Sequence, residues 1–135
     1  MSLIIIVGEC RAELLLPEFS IIKALDAPLI DCPNAAVIMG RNAHSEIRSA
    51  LGVIIDSDDP AALPPRSVQL ITCGVSPKNT VCITSRTPQK LTISLNRSIR
   101  AASGVCEPLE FPVEFTGSFS EYELMAAFAA RLLLK

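Results

Sequence analysis

The stretch Gly52-Val53-Ile54-Ile55-Asp56-Ser57-Asp58-Asp59-Pro60 constrains the fold of this chain more than any other. Three β-branched apolar residues run straight into an acidic turn. That is the pattern of a short strand covered on both faces and ending at a loop. Open α/β sheets bind ligands outside the carboxyl ends of such strands, so the turn marks the fold and offers a candidate binding loop.

Similar runs lie on both sides. Residues 3–7 form a continuous apolar run ended by Gly8, residues 35–39 a second ended by Gly40, and residues 68–73 another closed by Gly74. Helical patterns are predicted between them. A short helix fits residues 9–16, stopping before Pro17, and residues 18–25 carry Phe19, Ile22 and Leu25 at helical spacing. Residues 29–30 read as a short edge strand. Asn42 can cap a helix over residues 43–51 that places Ile47, Ala50 and Leu51 on one face, with Gly52 as its left-handed terminator. This predicts a strand-helix-strand unit over residues 35–56 with parallel strands. Asp59 and Pro60 would open one further helical turn, limited by Pro64-Pro65.

The pattern changes after residue 79. Residues 80–86 and 91–97 alternate apolar with Thr, Ser and Arg, and the four residues between them predict a β-hairpin with one wet face. Residues 110–115 are a further extended piece, interrupted by Pro112. Ser120-Glu121-Tyr122-Glu123 is a capping box at the head of a C-terminal helix, with Phe119 and Leu124 placed as a hydrophobic staple and Arg131 and Lys135 near its end.

With 135 residues, half of them hydrophobic, the chain suits one domain with one sizeable core over residues 1–135. Aromatic residues make up 4% and Trp is absent, so aliphatic packing must fill the interior. The expected fold class is a small three-layer α/β domain: a mainly parallel sheet of about four strands with helices on its faces, plus an appended antiparallel β-hairpin. Cys10, Cys32, Cys73, Cys82 and Cys106 are odd in number and widely spaced, which suits reduced core thiols in a cytoplasmic protein. The first residues read as a strand, not a signal peptide, and the C-terminal apolar run is too short to span a bilayer, so no membrane partner is expected.

Chemistry-bearing motifs are few. No phosphate loop, dinucleotide fingerprint or nucleophile elbow occurs, and His44 is the sole histidine. No catalytic residue and no metal ligand is assigned, and the cofactor is left unknown. Charge is uneven: residues 61–106 carry six of the twelve basic side chains (Arg66, Lys78, Arg86, Lys90, Arg97 and Arg100) and none of the fourteen acidic ones, although the net charge is only −2. A basic segment on an acidic chain suggests an anionic partner or a complementary subunit. The candidate ligand-binding residues are Asp56 and Asp58 in the acidic turn, Lys78 and Asn79 in the polar loop after the fourth strand, and Arg86 on the hairpin.

Two segments carry a family resemblance. Residues 53–60 followed by Leu70-Ile71-Thr72-Cys73-Gly74 resemble the "N-x-D-D-P … I-T-Y-G" segment of the Mur ligase central domain, whose members use ATP to form amide bonds in peptidoglycan precursors. Residues 117–127 resemble the family's "G-x-H-N-x-x-N-A-L-A-A" helix start, and residues 36–44 its "A-V-I-T-N-x-x-x-D-H" segment. Asp56 stands where that family has an adenine-contacting Asn, Ala43 where an Asp precedes His, and Phe119-Ser120 where it has His-Asn. With the ATP phosphate loop absent, the resemblance implies a trimmed core without ligase catalysis.

The leading expectation is a non-catalytic binding or interaction protein on a Mur-ligase-like core that recognises an anionic ligand or partner; nucleic acid is not favoured. It requires Lys78, Arg86 and Asp58 to line one surface. The alternatives are a small Mg²⁺-dependent enzyme acting on a nucleotide or phosphorylated metabolite, with Asp56 and Asp58 around the ion and His44 as acid/base, and a homodimeric structural subunit.

Overall fold

The computed structural model describes residues 2–59, 68–114 and 117–135. Its strands are β1 (Leu3–Val7), β2 (Ser20–Ala24), β3 (Leu29–Asp31), β4 (Ala35–Met39), β5 (Glu46–Ser49), β6 (Gly52–Asp56), β7 (Leu70–Cys73), β8 (Val81–Arg86), β9 (Lys90–Leu95), β10 (Ile99–Ala101), β11 (Gly104–Cys106) and β12 (Leu109–Glu114). A 3-10 turn spans Ala12–Leu15, and the one α-helix among the described residues, α1, spans Glu121–Leu134.

Eight strands form one sheet in the order β12-β9-β8-β7-β6-β4-β1-β2. Pairing is parallel from β2 through β8, and antiparallel from β8 to β9 and from β9 to β12. Side chains alternate between the two faces of a strand, and here both faces are buried. Ile4, Ile6, Ile38, Ile54 and Ile71 point to one side and pack with Leu124, Leu132 and Leu133 of α1. Ile5, Val7, Val37, Val53 and Ile55 point to the other and pack with Ile30 and Ile47. Those last two come from β3 and β5, which pair in parallel as a separate two-stranded ribbon.

The fold class expected from the sequence is therefore corrected. The chain is mostly β with one C-terminal helix, and its strands wind in a β-solenoid arrangement of about 4 turns, not a three-layer α/β domain. The helix expected over residues 43–51 is replaced by strand β5, so that β4, β5 and β6 follow one another as strands. The reason is visible in β3 and β5. Each is only three or four residues long, with a single side chain, Ile30 or Ile47, buried on the sheet. Neither is stable alone, but paired together they satisfy each other's backbone and cover the face a helix would have covered. Residues 18–25, expected as helical, instead form β2 beside β1, and the helix expected over residues 9–16 is only the 3-10 turn. The α/β core and Mur-ligase-like description implied by the family resemblance are corrected with them. The helical turn expected to open at Pro60, and Arg66 of the basic segment, lie outside the described residues.

The C-terminal helix begins at its capping box. Glu123 N–H donates to Ser120 Oγ at 3.1 Å and Ser120 N–H donates to Glu123 Oε1 at 2.9 Å. Gln69, just before β7, ties β10 to the head of β6 by bonding Leu51 O (3.0 Å) and both backbone groups of Arg100 (2.8 and 2.9 Å). Among the described residues no helix is long and apolar enough to cross a membrane.

Candidate functional site

Three strand ends and one helix start meet at one end of the sheet. β1 is followed by Gly8, whose φ of +84° is open to glycine, and a Cβ there would meet Arg41 O at 2.6 Å. The close approach lets Glu9 and Arg41 exchange backbone hydrogen bonds of 2.8 and 3.0 Å beyond the ends of β1 and β4. β6 ends at Asp56, where the chain turns: Asp58 N–H donates to Asp56 Oδ1 at 2.9 Å and Asp59 N–H to Asp56 O at 3.2 Å. Gly74 after β7 admits Ser57 and Asn79 so closely that a Cβ would lie 2.6 Å from Asn79 Nδ2.

α1 starts above these ends. Tyr122 Oη lies 2.6 Å from Met39 O and 3.1 Å from Ile54 O, so its one proton binds the helix start to the last carbonyls of β4 and the middle of β6. Burial pushes this phenol well above its ordinary value and keeps it a donor. Glu123 is held by its capping role and by the Arg11 N–H, with the Arg11 guanidinium 3.6 Å away. Burial opposes its ionisation, but the amides of Ser120 and Arg11 and the Arg11 charge outweigh that and hold its carboxyl below the usual range. The Arg11 guanidinium also donates to Ser118 O and stacks 5.4 Å from the Phe119 ring centroid.

Between these parts lies a cleft of about 740 Å³. Its walls carry six carboxylates, Glu9, Asp56, Asp58, Asp59, Glu121 and Glu123, against two arginines, Arg11 and Arg41. Negative potential therefore dominates it. Asp56 registers this: burial first, then the charges of Asp58 and Asp59, push its carboxyl above the usual value, against the amide of Asp58 and the charge of Arg41.

The candidate residues from the sequence separate into two groups. Asp56 and Asp58 both line the cleft. Arg86 reaches its rim by donating to Glu121 Oε1 at 2.8 Å. Lys78 and Asn79 are not on the cleft wall. They sit in the turn before β8, where Lys78 O accepts from the Arg97 guanidinium and buried Asn79 donates to Ser76 O at 3.0 Å and packs against Gly74. His44 is exposed in the segment between β4 and β5, and among the described residues no three His, Cys, Asp or Glu side chains are grouped to hold a metal ion. Glu9, Arg41 and Tyr122 are cleft residues that the sequence reading did not single out. A signal for two of them exists: the first two apolar runs ending in glycine are each followed by a charged residue, Glu9 after Gly8 and Arg41 after Gly40, whereas Gly74 is followed by Val75.

Comparison with protein-family models, curated proteins and solved structures finds no match to this chain.

Proposed function

We propose that this chain is a non-catalytic binding protein whose cleft at the ends of β1, β4 and β6 takes a small ligand bearing an organic cation, an amine or a guanidinium. The observation that carries this is the excess of carboxylates lining the cleft around Asp56, whose own ionisation is disfavoured first by burial and then by the charges of Asp58 and Asp59. A cation placed among Glu9, Asp56 and Asp58 relieves that repulsion, and a carboxyl in a cleft whose ionisation is disfavoured by burial and like charges is a place to seek ligand binding. The volume suits a small molecule. An anionic ligand in the same place would meet three more negative than positive side chains even with Arg86 at the rim counted, and the capping box already occupies the Ser120 and Glu123 amides at the start of α1. Arg41, on the same wall, provides for an anionic group elsewhere on the ligand.

Titration of the ¹⁵N-labelled protein with arginine amide, a diamine, acetate, inorganic phosphate and a nucleotide tests it. The two organic cations should shift the amides of Glu9, Arg41 and Asp58, with affinity rising as pH rises through the Asp56 titration. Asp58→Asn should weaken that binding about tenfold or more, since a hydrogen bond to a charged group contributes roughly 1.5–3 kcal/mol. Phosphate or nucleotide shifting these amides while the cations leave them unmoved would overturn the proposal.

A further inference from the structure

The outer edges of the eight-stranded sheet are β12 and β2, and they are built differently. β12 carries Pro112 at its middle, which has no N–H to offer, with Glu110 and Glu114 on either side. Such residues blunt an edge. A second β12 laid antiparallel about Pro112 would set Glu110 of one copy against Glu114 of the other.

β2 has no proline, and its one charged side chain, Lys23, is paired with Glu13 of its own chain. Its residue Ala24 lies opposite Val7, and Ala24 O accepts from Gly8 N–H at 2.9 Å, so the backbone groups of Ala24 face β1. Backbone direction alternates along a strand. Ser20 and Ile22 therefore also face β1, while the amide and carbonyl of Ile21 and of Lys23 point out from the sheet, and among the described residues no strand pairs with them. On this edge and directly after it stand two exposed aliphatic side chains, Ile22 at 54% and Leu25 at 74%.

We propose that β2 is the interface with a second copy of this chain, the two β2 strands pairing antiparallel about a two-fold axis through Ile22. In that register Ile21 of each copy lies opposite Lys23 of the other, and because both carry outward-facing backbone groups, each such pair exchanges two hydrogen bonds. Ile22 faces Ile22 across the axis as a non-hydrogen-bonded pair, the kind that brings side chains closest, and Ser20 faces Ala24. No like charges oppose one another, and Lys23 is already neutralised within its own chain by Glu13 at 2.6 Å. Moving the axis to Lys23 would oppose two lysines, and moving it to Ile21 would leave a single hydrogen-bonded pair. Hydrogen bonding and charge thus select the same register. The resulting contact is isologous and closes at two copies.

The test is mass in solution by light scattering over a wide concentration range, with the full chain. The wild type should approach twice the chain mass of 14.5 kDa as concentration rises. Ile22→Lys and Ile22→Glu each put two like charges on the axis, and each should raise the dimer dissociation constant about a hundredfold or more. An equal mixture of the two should recover the doubled mass, because Lys then faces Glu. In the wild type, amide hydrogen exchange at Ile21 and Lys23 should slow with concentration, a readout that needs no variant. A wild type that stays at the single-chain mass overturns the proposal, as does exchange at Ile21 and Lys23 that ignores concentration. A dimer that survives both substitutions also overturns it and moves the interface elsewhere, with the apolar groove between α1 and β12 around Phe111 and Phe128 the next place to look.

Discussion

The two faces of the central sheet are made by alternate residues of the same strands, yet they are covered in different ways. On one side Ile4, Ile6, Ile38 and Ile54 meet a 14-residue helix, and the buried cluster there holds 25 of the described residues. On the other, Ile5, Val7, Val37 and Val53 meet a ribbon of two strands, and the cluster holds eight. The helix face also carries the cleft, since α1 begins above the strand ends and Tyr122 binds to them. A helix satisfies its own backbone and can be laid on a sheet as a unit. The ribbon strands are too short for that, and each depends on the other and on one docked isoleucine. The helix face should therefore hold most of the stability and the ribbon face should yield first.

The largest effect should come from Leu133→Ala on α1. Leu133 is fully buried and lies against Gly52, leaving a cavity in a packed interior; the expected loss is about 3–5 kcal/mol by chemical denaturation. Ile47→Ala on β5 should cost less, about 2–3 kcal/mol, because a two-stranded ribbon can close on the gap more easily than a helix can. Its clearer signature should be faster amide exchange confined to β3 and β5, with the helix unchanged. Equal losses for the two substitutions would break the comparison and make the ribbon as much a part of the cooperative core as α1.

Tyr122→Phe is the next smaller change. It removes one donor and leaves Met39 O and Ile54 O without it, at an expected cost of about 1–2 kcal/mol. Because the phenyl ring still fills its site, the loss should appear as a weaker hold of the helix start on β4 and β6, read as faster exchange in the first turn of α1. A loss confined to the ribbon would place the coupling on the wrong face.

The contrast also explains which parts of the fold could be read from sequence. The runs at residues 3–7 and 35–39 are β1 and β4, and the capping box at Ser120 is the start of α1, because those signals are complete within a few residues. Residues 43–51 carry Ile47, Ala50 and Leu51 at a spacing that suits a helix equally well, and only the distant pairing of β3 with β5 decides for a strand. The same holds for Ile22, which fits a helical spacing but lies in β2 beside β1. In the cleft, the acidic turn at Asp56 and Asp58 was legible as a local cluster. Glu9 and Arg41 meet only through the β1–β4 ladder, and Tyr122 bonds a carbonyl 83 residues away. No local pattern records a meeting of that kind.

Asp56 gives the smallest effect and the sharpest test of what the helix-side cleft is. It shares its side of β6 with Ile54, and its ladder neighbour Cys73 belongs to the helix-side cluster. Burial, together with Asp58 and Asp59, raises its carboxyl above the ordinary 3.8. The folded chain thus holds this proton more tightly than the unfolded one. The stability the group contributes is complete below its unfolded value and is lost as pH rises through the folded value. Asp56→Asn keeps an oxygen acceptor for the Asp58 amide and removes the charge. At neutral pH the variant should be as stable as the wild type or slightly more so, by about 0.5 kcal/mol or less, and the difference should vanish in acid. Denaturation of both proteins at neutral pH and below the folded value measures this. A variant that is less stable at neutral pH would mean that Asp56 is held by a closed ion network with Arg41, and the cleft would then belong to the architecture of the helix face, with no unbalanced charge left for a cationic ligand to neutralise.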